Sequence, residues 1–256
     1  MCSSFMLGDR EILSIVSPET HQTIMYRERG EYYCMMTVGS ELSLKEMEFT
    51  PSTHLPKSEL FPRASDTFPP TVASSTLEPN SFVKIIGITS YKPGDTTYLE
   101  MTTRHLEHEV ATFETLKHHP HPNICEYRGC LVDEGFVTGI VLKEYPEDLS
   151  YCREKVNRQM VMRDIGAAIQ HLHSLGIIHN DVNPGNIILP ADLSRAVLID
   201  FDSSRPEGYK FCDSDRRYTE GFSKEELDIS EKENDLYGLE RIRLWLEDPR
   251  LVGEDE

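Results

Sequence analysis

Four polar residues in the second half of the chain have types and spacing that could do chemistry. The sequence reads His179-x-Asp181, places Asn186 five residues after the aspartate, and passes through a second apolar run into Asp200. A carboxylate can accept a proton, and carboxylate or amide oxygens bind hard divalent cations such as Mg²⁺. A His-x-Asp pair is common by chance, but this whole spacing between two apolar runs is not. The pattern therefore favours a reactive site over an aspartate that merely caps a turn.

The same residues resemble the catalytic loop and the metal-binding aspartate of the protein kinase family, H-R-D-L-x-x-x-N and D-F-G. The resemblance implies that Asp181 orients the attacking hydroxyl and receives its proton. It also implies that Asn186 and Asp200 hold Mg²⁺ against the phosphates of ATP. His179 is expected to brace the loop by hydrogen bonding, and Asp235 is expected to anchor the loop backbone.

Upstream segments resemble the nucleotide-binding part of the same family. Residues 82–86 read as a strand that carries Lys84, and Glu109 lies in a helical pattern ahead of the sequence His-Pro-Asn-Ile. The resemblance implies that Lys84 binds phosphate and that Glu109 holds the lysine. Glu144 and Tyr145 resemble the hinge, whose backbone groups would bind an adenine. The alternative is an exposed strand lysine, a solvated helix glutamate and an ordinary strand end.

Four departures from the family pattern concern this site. No glycine occurs between Gly39 and Gly87, so the glycine-rich loop is missing and phosphates must be held more weakly or differently. Asn180 replaces the arginine that pairs with a phosphorylated activation loop, so control by that route is not expected. Asn183 replaces a lysine that neutralises the transferred phosphoryl group, a loss of about 10²-fold or more in rate. Asp202 replaces the glycine of D-F-G, which puts a second carboxylate near the metal.

Hydrophobic periodicity predicts the elements that position these residues. Strands are expected at 31–38, 82–86, 127–132 and 136–142, and helices at 106–117, 161–175 (closed by Gly176) and 233–246. In this order the elements resemble a protein kinase from its third strand onward. We therefore expect an α+β, bilobal protein kinase-like fold, with a small β-rich lobe carrying one helix and a shortened, mainly helical large lobe.

The chain is expected to divide into four segments. Six of the 15 prolines fall between positions 51 and 79, which predicts an extended or disordered connector. The resemblance ends near residue 247, which favours a peptide or small molecule over a folded protein as phosphate acceptor. The segments are a β-rich N-terminal part (1–50), a Pro/Ser-rich linker (51–80), a kinase-like domain (81–247, small lobe 81–143, large lobe 147–247) and an acidic tail (248–256).

Composition restricts the class of protein. The chain has 256 residues, 38% of them hydrophobic, which is enough for a substantial globular core. Its net charge of −18 argues against a nucleic-acid partner. The chain has no apolar run of about 18 residues, so we expect no membrane span. The first ten residues lack the features of a secretion signal. Six scattered cysteines favour reduced thiols. We expect an intracellular protein, cytoplasmic or nuclear, and leave the oligomeric state open.

Three functions are compatible with these residues. The leading interpretation is an atypical protein kinase-like domain that binds ATP with Mg²⁺ and transfers phosphate to Ser or Thr of a protein or peptide. The missing glycines and Asn183 favour a second one, a pseudokinase that acts as a nucleotide-binding or scaffold module. The third is a small-molecule phosphotransferase of the aminoglycoside-kinase type, which shares the His-x-Asp and the later Asn. The helix of Glu109 and its His-Pro-Asn-Ile exit favour protein kinases over this third function.

Overall fold

The computed structural model describes residues 5–7, 9–16, 21–38, 51–65, 68, 71–73, 76–87, 91, 95, 97–212, 219–224 and 228–252. The strands are β1 (Phe5–Leu7), β2 (Arg10–Val16), β3 (His21–Glu28), β4 (Glu31–Val38), β5 (Ser52–Leu55), β6 (Thr71–Ala73), β7 (Ser81–Ile85), β8 (Tyr127–Asp133), β9 (Phe136–Lys143), β10 (Glu147–Asp148), β11 (Ile177–Ile178), β12 (Ile187–Leu189), β13 (Val197–Leu198) and β14 (Arg205–Pro206). The α-helices are α1 (Lys57–Leu60), α2 (Tyr98–His118), α3 (Leu149–Cys152), α4 (Arg158–Ser174) and α5 (Lys232–Glu247). The architecture is α+β, as expected.

The chain forms two compact units whose segments alternate along the sequence. The first consists of Met1–Leu77, Val83–Glu107 and Gly129–Ile140, and the second of Glu78–Phe82, His108–Arg128 and Val141–Glu256. Each predicted segment is one continuous stretch of sequence. Each compact unit instead combines several separate stretches, because the strands of its sheets come from distant parts of the sequence.

An antiparallel sheet with the order β1-β2-β3-β4-β5 dominates the first unit. The predicted strand at 31–38 is confirmed as β4. Side chains alternate across a strand, and in β3 Ile24 and Tyr26 are buried in one cluster while Met25 is buried in another. Both faces of the sheet are therefore covered. One cluster also contains Leu60, Phe61, Tyr91 and Tyr98.

The described parts of residues 51–80 include regular elements, where the prolines predicted an extended or disordered connector. Strand β5 pairs with β4, helix α1 follows it, and β6 pairs in parallel with β8. Phe61, directly after α1, is only 1% exposed. Pro56 stands at the N-cap of α1, where a missing N–H costs little. High proline content is thus compatible with these short elements, because the proline marks a boundary and the apolar residues beside it are buried.

The kinase-like strands are confirmed. The pair predicted at 127–132 and 136–142 is β8 and β9, and the strand predicted at 82–86 is β7. These strands and β6 form one sheet with the order β6-β8-β9-β7. Gly139 in β9 is required by the close approach of β7, because a Cβ there would lie 2.9 Å from the backbone oxygen of Lys84.

The three predicted helices are present with shifted ends. Helix α2 begins at Tyr98, eight residues before the predicted start, because its first turns lack the apolar repeat. Helix α4 begins after Asn157, whose side chain accepts a hydrogen bond from the Met160 amide, and Gly176 (φ +72°) follows its end as predicted. Helix α5 covers the third prediction. None of the helices in the described ranges has both the length and the apolar character of a membrane span.

Candidate active site

A short hairpin in the second unit positions Asn186 and Asp200. Strands β12 and β13 are buried and pair antiparallel, with Ile187 opposite Leu198. The Ile199 amide then donates a hydrogen bond of 3.0 Å to the carbonyl oxygen of Asn186. Asn186 and Asp200 therefore lie at the same end of the hairpin. Asp200 has φ +66°, a left-handed conformation that Asp tolerates better than most residues.

The carboxylate of Asp181 accepts hydrogen bonds from three neutral side chains. Thr219 Oγ1 donates to Oδ1 at 2.7 Å, and Asn183 Nδ2 donates to the same oxygen at 2.9 Å. Asn186 Nδ2 donates to Oδ2 at 2.9 Å. These donors fix the orientation of the carboxylate without placing a positive charge beside it.

The same hydrogen bonds determine which atoms could hold a metal. Asn186 Nδ2 spends its hydrogens on the carboxylate and the carbonyl oxygen of Asp181, both at 2.9 Å, so the amide oxygen Oδ1 is the end that can accept or coordinate. Mg²⁺ typically takes one or two protein oxygen ligands and completes its shell with water and phosphate. Asn186 Oδ1 and the carboxylate of Asp200 fit that donor set. Over the described residues, no group of three or more His, Cys, Asp or Glu could form an all-protein metal cage.

The loop backbone before Asp181 is held from two sides. His179 Nε2 lies 3.0 Å from the carbonyl oxygen of Ile199 and must donate to it, while Nδ1 accepts from the Asp181 amide at 3.3 Å. These two contacts select the neutral Nε2–H tautomer. The carboxylate of Asp235 accepts from the amides of His179 (3.0 Å) and Asn180 (2.7 Å). The bracing role expected for His179 and the anchoring role expected for Asp235 match this geometry.

Helix α5 can place Asp235 beside the loop because Gly238 lets the helix approach the loop backbone closely. A Cβ on Gly238 would lie 2.4 Å from the backbone oxygen of Val182, which a real side chain cannot do without moving the loop. Asp235 is fully buried, and His173 Nε2 donates to its Oδ2 at 2.8 Å. The buried carboxylate thus has a side-chain donor in addition to the loop amides, as a buried charge requires.

Asn180, the residue in the arginine position, forms a buried neutral network. Its Nδ2 donates to the carbonyl oxygen of Ser203 at 3.2 Å and to Ser230 Oγ at 3.0 Å. Its Oδ1 accepts from Asn234 Nδ2 at 3.0 Å. The residue is 3% exposed and has φ +65°. Hydrogen bonds, not charge, therefore tie this loop to Ser203 and Ser230. Both lie near the ends of the segment 203–232, which takes the place of the activation region in the resemblance to protein kinases.

The expected phosphate-binding pair lies on two elements. Lys84 is half-buried on β7, and Glu109 is 5% exposed on α2. Because the two residues belong to different compact units, their pairing stays a prediction.

The expected hinge offers few free amides. The Glu144 amide donates to the carbonyl oxygen of Asn80 at 2.8 Å, and Pro146 has no N–H. Tyr145, which is half-buried, carries the amide between them. Adenine binding by Glu144 and Tyr145 stays a prediction, and the Tyr145 amide is the donor it depends on.

Thr219 is a residue in contact with Asp181 to which the sequence assigned no role. It lies in the segment 218–222 that stands in the expected activation region, of which Tyr218, like Gly39, is outside the described residues. A hydroxyl residue near a glycine is a weak signal, and nothing local pairs Thr219 with an aspartate 38 positions earlier.

Comparison with known proteins agrees with this geometry. The family model described as Protein kinase domain matches residues 85–234, more than half of the chain. The chain is 34% identical over 143 residues to the Serine/threonine-protein kinase ppk6 of Schizosaccharomyces pombe, covering 51% of this chain and 18% of that protein. It is 29% identical over 150 residues to the Probable serine/threonine-protein kinase gdt2 of Dictyostelium discoideum, covering 52% and 9%. The chain thus spans less than a fifth of either relative.

Proposed function

We propose, since this chain belongs to the protein kinase family, that it binds ATP with Mg²⁺ and transfers phosphate to a Ser or Thr hydroxyl of a peptide or protein. The observation that carries the proposal is the oriented carboxylate of Asp181, with Asn186 bonded to it and Asp200 at the same end of the hairpin. The similarity to serine/threonine-protein kinases supports the choice of acceptor.

Asp181 is the proposed base. Its Oδ2 accepts one side-chain hydrogen bond, whereas Oδ1 accepts two, so Oδ2 has more capacity to receive the acceptor's proton. As the hydroxyl oxygen bonds to the γ-phosphorus, the bond from that phosphorus to the β-bridging oxygen breaks and the hydroxyl proton passes to Asp181. The protein's work in this step is positioning, which the three neutral donors supply.

The other proposed roles concern the binding of Mg²⁺ and of the phosphates. Asn186 Oδ1 and Asp200 would hold Mg²⁺, which neutralises phosphate charge when bound. Lys84, held by Glu109, would bind phosphate. Asn183 brings no cation to the reacting phosphoryl group, because its amide donates to Asp181 and Thr219. We therefore expect slow turnover.

A nucleotide-binding pseudokinase is the second candidate. Oδ1 of Asp181 already accepts two hydrogen bonds, which leaves only Oδ2 for an acceptor hydroxyl. Asn183, in the position of the family's lysine, brings no cation to the phosphoryl group. These two observations favour a protein that binds nucleotide and transfers phosphate little or not at all.

Thermal unfolding with ATP, with and without Mg²⁺, tests the nucleotide site. A ligand at about 100 times its Kd stabilises the folded state by about 2.7 kcal/mol, which is readily measured. We expect stabilisation that requires Mg²⁺, its loss in Asp200→Ala, and its retention in Asp181→Ala. Asp192→Ala removes an exposed carboxylate outside the site and is the matched control.

Transfer from radiolabelled ATP separates the candidate functions. We expect label on a basic protein or Ser/Thr peptide, none on small alcohols, and none with Asp181→Ala. Label on the alcohols alone would establish a small-molecule phosphotransferase. Metal-dependent stabilisation without any transfer would establish the pseudokinase. Unchanged transfer by Asp181→Ala would remove that residue from the mechanism.

A further inference from the structure

A concave site lies within the second compact unit. Its volume is about 370 Å³, and its walls come from the end of α2, the His-Pro loop after it, the facing ends of β8 and β9, and Arg195. Apart from Tyr145, none of the residues discussed for phosphate transfer lines it. The function proposed above therefore does not account for this cavity.

The walls are unusually cationic for so acidic a chain. Lys117, Lys143 and Arg195 line the cavity against a single carboxylate, that of Glu126, whereas the whole chain carries a net charge of −18. Cations gathered in a concave, partly apolar site focus the local field toward anions. The cavity therefore favours an anionic ligand.

Arg195 has a buried donor without an acceptor. Its Nε is buried and, within the part of the chain that the structure describes, has no hydrogen-bond partner. Buried polar groups are nearly always hydrogen-bonded, because an unpaired donor keeps the full cost of its desolvation. Across the same described residues, neither Arg195 nor Lys117 has an acidic side chain within salt-bridge distance, although Arg195 interacts electrostatically with Asp192, which is fully exposed to solvent. An anionic ligand that pairs with the guanidinium group of Arg195 would offset this cost.

The segment that carries Arg195 is held in place by buried hydrogen bonds. The next residue, Ala196, donates its amide to Asp164 Oδ2 at 3.0 Å, and its carbonyl oxygen accepts from Asn123 Nδ2 at 2.8 Å. Both partner side chains are buried. A ligand would thus meet a preformed site with a small ordering cost.

The opposite wall is held in the same manner. His171 Nε2 donates to the carbonyl oxygen of His119 at 2.8 Å, and the rings of His121 and His171 stack with centroids 4.9 Å apart. These contacts attach the His-Pro loop to helix α4. Both walls are therefore built before any ligand arrives.

Apolar surface lies directly beside the cations. Lys117 Nζ lies 5.7 Å from the ring centroid of Tyr127, and Lys143 Nζ lies 5.8 Å from that of Tyr145. Ile124 also lines the cavity. The site therefore suits a ligand that presents an apolar side chain and an anionic group together.

We propose that this cavity is a docking site for an acidic peptide segment of a partner protein. A Glu or Asp side chain of the segment pairs with Arg195, and a neighbouring aliphatic or aromatic side chain fills the apolar part. A carboxylate fits better than a phosphoryl group, because Glu126 lies 3.8 Å from Lys143 and repels a dianion more than a single charge.

Fluorescence anisotropy with labelled peptides tests the proposal on the full chain. The probe has two Glu flanking Leu and Phe, and matched peptides carry Gln, Lys or phosphoserine in place of Glu. We expect the Glu peptide to bind, the Gln and Lys peptides to bind at least about tenfold more weakly, and added salt to weaken binding. Arg195→Gln and Lys117→Gln should each reduce affinity at least about fivefold. Lys155→Gln, at an exposed lysine outside the cavity, should not.

Several results would overturn the proposal. Equal binding of the Glu, Gln and Lys peptides would exclude recognition of an acidic group. An equal loss in Lys155→Gln would show general attraction to the surface. Binding of the phosphoserine peptide alone would replace the acidic segment by a phosphorylated one. Unfolding midpoints identify a variant that fails to fold, and if Arg195→Gln does, unchanged binding by Lys117→Gln is sufficient to refute the site.

Discussion

Thr219 Oγ1 donates a hydrogen bond of 2.7 Å to Asp181 Oδ1, across 38 positions of sequence. The threonine is itself held, because its amide donates to Ser223 Oγ at 3.1 Å. Its hydroxyl also accepts from Asn183 Nδ2 at 3.1 Å. The orientation of the proposed base thus depends on a segment far along the chain.

Replacing Thr219 tests whether its hydroxyl orients the proposed base, because the replacement should affect transfer but not nucleotide binding. Thr219→Val keeps the shape and removes the hydroxyl, so we expect transfer to fall about tenfold or more. The Mg·ATP-induced shift in unfolding temperature should stay. Thr219→Ser restores the donor and should keep most of the activity. Equal rates for the Val and Thr forms would show that the hydroxyl does not orient Asp181.

Asn183→Lys should increase the transfer rate. The substitution places a cation where the phosphoryl charge develops, an effect worth about tenfold or more. It also removes the hydrogen bond of 2.9 Å from the Gly185 amide to Asn183 Oδ1, so unfolding must be measured alongside kcat. A folded Asn183→Lys protein with a lower rate would indicate that orientation of Asp181 by the amide is more important than the missing charge.

The Asn180 network should be important for stability. Asn180→Ala removes the hydrogen bonds to Ser203, Ser230 and Asn234 and places alanine at φ +65°. We expect a loss of about 2–4 kcal/mol in the free energy of unfolding by urea. Asn180→Gly loses the same bonds but tolerates the backbone conformation, so its loss should be smaller. Identical losses would show that the positive φ costs nothing here.

Gly238 and Gly166 form a matched pair of helical glycines. A Cβ at Gly238 would lie 2.4 Å from the Val182 carbonyl oxygen, whereas at Gly166 the nearest atom is Leu239 Cδ2 at 3.9 Å. Gly238→Ala should destabilise the fold by about 1–3 kcal/mol and reduce transfer. Gly166→Ala should stabilise it by about 0.5–1 kcal/mol. A Gly238→Ala protein with normal stability and rate would contradict the tight contact between α5 and the loop.

His121 should make stability depend on pH. Burial, and then the neighbouring His171, lower the pKa of His121 below its ordinary value, with Asp164 opposing them. The unfolded chain therefore takes up the proton at a higher pH than the folded one. Stability is full above the ordinary histidine pKa of about 6.5 and declines as pH falls below it. In His121→Gln, the urea midpoint should decline less steeply from neutral to mildly acidic pH. Parallel curves for the two proteins would contradict this linkage.

Local patterns determined much of this protein from sequence. The spacing of His179, Asp181, Asn186 and Asp200 identified the loop and hairpin, and apolar periodicity identified α4, α5, β8 and β9. Such patterns are readable because a helix or strand repeats its buried positions at a constant interval. The lysine–glutamate pair and the hinge came from the resemblance to protein kinases, and their roles stay predictions.

Only the tertiary structure decided what surrounds the loop. Thr219, Asn234 and Gly238 contact residues 38, 54 and 56 positions earlier in the chain, and no local spacing encodes such partners. The same holds for Asn180. From the sequence it was only a position that lacks the family's arginine, whereas in the structure it takes part in a buried hydrogen-bond network. Hydrogen bonds between distant segments depend on packing, so the sequence alone named the proposed reacting groups and the fold determined how they are held.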